Sequence, residues 1–548
     1  MMSTSILILI VAKALPSIQK QISSIHFTRI SAIILIISGL LSLNTLYIQS
    51  IGSGIGIYSG LFQITNISQT IELFLFTIGS IILIGWPNFT SEATQTNNNL
   101  QIESISLGNL NKAKDYSIIV LFSILGSSLL ISSLDLISFY LSLELQSFGL
   151  YILATLYKDS EASTNAGLKY FLLGGLSSCL ILLGLGLIYS NTGLTNLESI
   201  YMLILTTNIQ YVIIGTIFGI ILIVIGLLFK ISAAPLHNWS PDVYDETPTI
   251  VTIWLTIVPK ISLLILLLEI YSPLSTDFII ALQPLAINLD WLISINNEID
   301  GGAIIKNIFL ISSILSLIIG TVVGLAQIKI KRLLAYSTIS HIGFMLLALA
   351  INTEQSIDSF LFYLIQYIIT NLNIFLILLA ISYYYFNNIQ VLPMQGEKDV
   401  KYITDLQGLF YANPFLSLSL SLSLFSMAGI PPFVGFFSKQ FVLYSALDSG
   451  YYFISLLGII VSVISATYYL KIIKILHSQK EGLNMQVINT NKVQGLPMQG
   501  LPMQGENNLS QFHSLIISIL SLFILLFILK PTLILNSTQV LSLTLFKL

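Results

Sequence analysis

The strongest constraint in this 548-residue sequence is the recurrence of mostly apolar runs of 18 or more residues. At about 1.5 Å per helical residue, such a run matches the ~30 Å hydrocarbon core of a bilayer. The runs lie near 28–48, 69–86, 116–134, 136–157, 166–190, 210–231, 249–271, 303–326, 332–351, 358–384, 413–429, 452–475 and 513–530. A shorter stretch, 5–15, is a first span if its helix continues through Ala-Leu-Pro-Ser-Ile-Gln. Lipid offers the backbone no hydrogen-bond partners, so a spanning segment must satisfy its own, and runs this long do so as helices. The expected fold is an all-α integral membrane protein of about fourteen transmembrane helices.

Cationic residues test that count. With 5–15 numbered first, connections after odd-numbered spans hold Lys20, Arg29, Lys112, Lys114, Lys158, Lys329, Lys331, Arg332, Lys398, Lys401, Lys480 and Lys492. Connections after even-numbered spans hold almost none, Lys306 being the exception. This one-sided pattern follows the positive-inside rule and puts both termini on the other side. The first residues, Met-Met-Ser-Thr-Ser-Ile-Leu, carry neither a signal peptide pattern nor an Arg-rich transit peptide. A chain this hydrophobic without a transit peptide is expected to insert from the compartment where it is made. The heavy use of Ile, Leu, Ser and Asn suits an A+T-rich organellar genome.

Charged residues make up 9% of the chain against roughly 25% in soluble proteins, and the net charge is −3. No basic face is available for nucleic acid. The single Cys179 excludes a disulfide framework and thiolate-held metal clusters, and is expected to pack as a small buried thiol. No Walker A loop, dinucleotide fingerprint, HExxH or CxxC is present. The unit Leu-Pro-Met-Gln-Gly occurs at 392–396, 496–500 and 501–505 and reads as a tolerated polar insertion.

A charge inside a span is expensive, so each is a functional candidate. Six stand within apolar flanks: Glu144, Lys169, Lys230, Lys260, His341 and Lys439. Burial disfavours an ammonium, which allows a lysine to release and regain a proton near neutral pH. A nearby carboxylate restores the protonated form, so Glu144 approaching or leaving Lys230 would load or unload that lysine. Histidine relays between such groups. Each residue also has a plainer reading. A lysine near a helix end can snorkel to the interface, Lys169 above all. Glu144 can be a static ion-pair partner, and His341 a hydrogen-bonded core histidine. His237 fits the membrane surface equally well. Asp135, after Ser132 and Ser133, suits a helix N-terminus.

Two spans carry helix breakers beside a lysine: Pro235 shortly after Lys230, and Pro431 with Pro432 shortly before Lys439. Breaks at matching places in two halves point to an ion site built from inverted repeats. The organisation expected is N-terminal helices and loop at 1–115, a first five-helix repeat at 116–271 and a connecting loop at 272–302. A second repeat follows at 303–475, then a polar low-complexity loop at 476–512 and a C-terminal helix at 513–548.

The stretches LFKISAAPLHNWSPDVYDETPTIVT, KRLLAYSTISHIGFMLLAL and SLFSMAGIPPFVGFFSKQFVL resemble the core motifs of the antiporter-like subunits of respiratory complex I. That resemblance, extending over 1–535, implies a proton-translocating subunit of NADH:ubiquinone reductase, a translocase with no redox site in this chain. It implies a Glu144–Lys230 pair, relay through Lys260 and His341, exchange at Lys439, and Lys169 lateral to the pair. It also implies no cofactor or metal here, with FMN, iron–sulfur clusters and ubiquinone in partner subunits. The expected partners are neighbouring antiporter-like and small hydrophobic membrane subunits and phospholipids. The expected location is the mitochondrial inner membrane, and the chain is expected to be organelle-encoded. The alternatives are a cation/proton antiporter without a redox partner and a scaffold whose charges only pair.

Overall fold

The computed structural model describes residues 1–15, 24–48, 54–85, 100–158, 160–206, 210–274, 301–388, 399–478 and 511–546. The Leu-Pro-Met-Gln-Gly units, most of the 272–302 connection, and Lys20, Lys398, Lys480 and Lys492 lie outside the described residues.

Helices α1 (Met2–Ala14) and α2 (Ser24–Thr45) are followed by a hairpin of β1 (Ile55–Ile57) and β2 (Phe62–Ile64), and then by α3 (Asn66–Ile84). The strands pair antiparallel, Ile55 opposite Ile64, and Gln63 N donates to Ser132 O at 2.7 Å. The first group of five spans begins with α4 (Leu100–Ile131), α5 (Leu136–Ala154) and α6 (Glu161–Thr192). The short α7 (Leu197–Thr206) precedes α8 (Gln210–Ile231) and α9 (Trp239–Glu246), two pieces of one broken span, and α10 (Thr249–Tyr271) closes the group. The second group is α11 (Gly301–Leu325), α12 (Ile330–Ile351), α13 (Glu354–Asn388), the one-turn α14 (Leu409–Ala412), the broken pair α15 (Pro414–Ala428) and α16 (Val434–Asp448), and α17 (Tyr452–His477). Helices α18 (Gln511–Leu526) and α19 (Thr532–Phe546) complete the order.

Among the described residues, twelve helices are long and apolar enough to cross a membrane. Adding α1, and α15 completed by α16, accounts for fourteen crossings. In both groups the fourth span is the broken one. The Ala234–Pro235 and Pro431–Pro432 peptides, both cis, lie in the two breaks. At about 1.5 Å per residue, the 15 residues of α15 cover only ~22 Å, so α15 ends inside the bilayer.

Local chemistry sets the ends. Asp135 caps α5, its carboxylate accepting from Ile137 N at 2.9 Å and from the Thr195 hydroxyl at 2.8 Å. Asn413 caps α15 with Pro414 in its first turn, and Gly429 closes it in the left-handed region, φ 85°. The core is where helix meets helix on every side. The apolar windows of α10, α12 and α13 are 100%, 94% and 89% buried, whereas those of α6 and α17 are 39% buried and turn one face outward. Cys179 is therefore exposed on α6, contrary to the packed thiol expected. It falls on the outward face, where neighbouring Leu176, Leu182 and Leu183 are also exposed.

On the side of the α10 and α12 N-termini, acids and bases tie the two groups together. Lys331 pairs with Asp399 and also donates to Thr247 O at 2.8 Å. Asp399 in turn accepts from Thr249 N at 2.9 Å and the Thr249 hydroxyl at 3.0 Å, so it caps α10 from 150 positions away. Lys331 is buried and Asp399 mostly so, with side-chain exposures of 5% and 12%. Removing one partner of a buried pair costs about 3–5 kcal/mol, and a lost cap about 1 kcal/mol more. Asp399→Ala is expected to lower the thermal unfolding midpoint of the assembled protein clearly. Asp399→Asn, which keeps an acceptor for Thr249 N, should lower it less. Equal midpoints for both variants would show that the cap plays no part and that the loss comes from the charge alone.

Candidate functional site

Five of the six sequence candidates converge on α10, α12 and α13. On α5, Glu144 is held by the Ser147 hydroxyl, which donates to its Oε2 at 3.1 Å. Its Oε1 stands 3.7 Å from Lys230 Nζ, close enough for an ion pair and too far for a hydrogen bond. Neither atom has a hydrogen-bond partner among the described residues, and both are buried.

Beyond Lys230 lies a cavity bordered also by Gln146, Tyr244 and Lys260, with about 20 Å³ open to the centre of a water molecule. One water needs roughly 10–15 Å³ on that measure, so one or two fit. Tyr244, whose buried hydroxyl has no hydrogen-bond partner among the described residues, lines the same space. Unpaired buried polar atoms of this kind are ordinarily satisfied by water. Pro259, also at the cavity, has no N–H, which leaves the Leu255 carbonyl there without its helical donor.

Lys260, one residue on, donates to the Tyr367 hydroxyl at 3.2 Å and lies 5.7 Å from the ring centroids of Tyr244 and Tyr367. No carboxylate pairs with it among the described residues. The Tyr367 ring is 5.7 Å from that of His341. His341 Nδ1 and the Tyr363 hydroxyl share a hydrogen bond of 2.6 Å, and Nε2 lies 3.4 Å from the Tyr469 hydroxyl. The Tyr363 ring in turn stacks on that of Phe344, with centroids 5.9 Å apart. Lys439 lies 6.0 Å from the Phe344 ring centroid and donates to Met427 O and Ala428 O, each at 2.9 Å. The result is a buried row running Glu144, Lys230, cavity, Lys260, Tyr367, His341, Lys439. Its hydroxyls, amines and imidazole can each give and accept a proton.

Lys169 stands apart. Its side chain is 45% exposed and faces Asp242 at 3.4 Å and Glu246 at 3.8 Å on α9. Asp242 also takes Arg332 at 2.6 Å, and Asp245 takes Lys329 at 2.6 Å. His237, buried in the first break, donates from Nδ1 to Pro235 O at 3.2 Å. Pro235 sits between α8 and α9, and Pro431 and Pro432 between α15 and α16.

Sequence reasoning passed over Tyr244, Tyr363, Tyr367 and Gln146. The four-residue spacing of Tyr363 and Tyr367 inside an apolar span was a usable signal, since it places both on one helix face. It also passed over Glu72 of α3 and Glu269 of α10, which the rule on charges inside spans would have caught. No group of residues able to hold a metal ion occurs among the described residues.

The profile of a family described as NADH:quinone oxidoreductase/Mrp antiporter, transmembrane, matches residues 133–297 and 270–465. NADH-ubiquinone oxidoreductase chain 2 of Rhizopus oryzae is 47% identical over 556 residues, covering 99% of this chain and 99% of the relative. NADH-quinone oxidoreductase subunit N of Wolbachia sp. subsp. Brugia malayi is 40% identical over 363 residues, 66% of this chain and 70% of the relative. Two solved structures share the fold. One is a chain of the Mrp complex from Dietzia sp. DQ12-45-1b, with TM-score 0.71, 19% identity, and coverage of 98% of this chain and 95% of that one. The other is a chain of respiratory complex I from Thermus thermophilus, with TM-score 0.67, 22% identity and coverage of 98% and 99%.

Proposed function

The chain belongs to the NADH:quinone oxidoreductase/Mrp antiporter transmembrane family, and from that premise we propose that it is a chain 2-type subunit of NADH:ubiquinone oxidoreductase that moves protons across the membrane. Full-length identity of 47% to a chain 2 supports this over a stand-alone antiporter, whose solved relative from Dietzia is 19% identical. In this reading NADH oxidation and quinone reduction occur in partner subunits that hold FMN, iron–sulfur clusters and ubiquinone. This chain contacts neighbouring antiporter-like and small hydrophobic subunits in the mitochondrial inner membrane, and is organelle-encoded. The two five-helix groups, 116–271 and 303–475, act as the inverted halves.

The observation that carries the proposal is the bare ion pair of Glu144 and Lys230 at the head of a buried polar row. An ion pair at 3.7 Å with no hydrogen bond between the partners is poorly locked, so a small displacement of α5 changes the field at Lys230. With the carboxylate near, the ammonium is favoured; with it away, the proton passes to water in the cavity and on to Lys260. His341 then relays between Lys260 and Lys439, and Lys439 exchanges with the far side. Lys169, among the acids of α9, supplies protons laterally from the surface.

Glu144→Gln keeps shape and hydrogen bonding while removing the charge. Proton pumping in membranes with confirmed assembly is expected to fall at least about tenfold, the effect of ~1.4 kcal/mol on a barrier. Wild-type pumping and NADH:quinone turnover together would remove Glu144 from its role as modulator.

A further inference from the structure

The two breaks present their half-helix ends to different side chains. A helix leaves its last carbonyls without intrahelical donors, and they carry partial negative charge. At the end of α8 the Trp239 indole, reaching back from α9, donates to Phe229 O at 2.9 Å. That cap is neutral, and Lys230 in the last turn of α8 faces Glu144 instead. At the end of α15 the residue reaching back is Lys439, which spans the carbonyls of Met427 and Ala428.

Lys439 forms no ion pair among the described residues. Among the described residues, the buried titratable groups on the helices packed against α16 are Lys331 and His341 on α12, Tyr363 and Tyr367 on α13, and Tyr468 and Tyr469 on α17, and Lys331 is already paired with Asp399. Acids are remote: Asp448 is nine residues on, about 13 Å along α16, and Glu354 and Asp358 lie in the first turns of α13.

We propose that the carbonyl end of α15 is the counter-charge of Lys439, the part Glu144 plays for Lys230, and that Gly429 is the positioning residue that holds the ammonium on it. This rests on the reading of Lys439 as the exchange lysine. Carbonyls do not titrate, so Lys439 is unloaded by geometry: its ammonium leaves the two oxygens when the α15–α16 break changes shape. Gly429 fits the part on two counts. Its φ of 85° lets the chain turn at the carbonyl end, and a Cβ there would stand 3.0 Å from Lys439 Cδ and 3.2 Å from Nζ. A side chain there makes the lysine give way by a few tenths of an ångström, which lengthens its contacts with both carbonyls.

The test compares Gly429→Ala with Gly450→Ala. Gly450 has nearly the same conformation, φ 82°, in the α16–α17 turn, and a Cβ there meets nothing within 4 Å. Proton pumping per NADH oxidised and the pH profile of turnover are measured on assembled complex. Gly429→Ala is expected to lower the pumping ratio at least about twofold and to move the alkaline limb of turnover toward neutrality by about half a pH unit. Gly450→Ala should leave both unchanged. Gly429→Asn, which tolerates the left-handed region better than Ala, serves if Gly429→Ala does not assemble. Matching behaviour of the Gly429 and Gly450 variants overturns the inference, as does failure of both Gly429 variants to assemble when Gly450→Ala does. Lys439→Met separates the two levels. If it pumps normally, the exchange role of Lys439 itself falls; if it is inactive while Gly429→Ala pumps as wild type, only the carbonyl counter-charge falls.

Discussion

Lys230→Ala is expected to reduce proton translocation by more than about a hundredfold, the scale set by removing a positioned proton carrier. The substitution also strands Glu144, whose Oε1 has, among the described residues, no partner other than the ammonium at 3.7 Å. An uncompensated buried charge destabilises by several kcal/mol, about 3–5 in measured cases, so poor assembly alone could mimic a functional loss. The double variant Lys230→Ala/Glu144→Gln removes that charge. It should recover assembly, read as complex abundance and unfolding midpoint, without recovering pumping. Recovery of pumping in the double variant would make the pair a structural feature and sink its role as a switch.

Lys260→Met should have a comparable effect on pumping and the opposite relation to stability. Lys260 is buried with one neutral partner, the Tyr367 hydroxyl, and two aromatic faces. Methionine fills most of the same volume and has no charge to desolvate, so the unfolding midpoint should stay the same or rise. The relay between the Lys230 cavity and His341 is then cut. Pumping is expected to fall at least about a hundredfold while the protein assembles normally. A lowered midpoint with residual pumping would mean that the ammonium serves packing, through its contacts with Tyr244 and Tyr367.

The spans and the five groups of the buried row were legible in the sequence because a bilayer tolerates few charges. An isolated Lys, Glu or His between apolar residues is conspicuous whatever the fold. Lys169 was equally conspicuous, but its neighbours could not be read. Only the approach of α9 gives it Asp242 and Glu246, some 73 and 77 positions later, and an exposed face. The tyrosines were harder still, since an aromatic residue in a span is ordinary packing until a hydroxyl meets a lysine or histidine from another helix.

Composition and periodicity, then, determined by themselves that this chain crosses a membrane many times, that two crossings are broken, and which groups carry charge into the interior. These follow from one-dimensional facts: segment length against bilayer thickness, proline's missing N–H, and the cost of burying charge. Tertiary structure alone decided what each buried charge faces. Lys230 looks at a carboxylate, Lys260 at a phenol and Lys439 at the carbonyl end of a half-helix. Those partners come from residues far apart in the chain, or from backbone that any sequence possesses. The field at each ammonium is therefore a property of the packing.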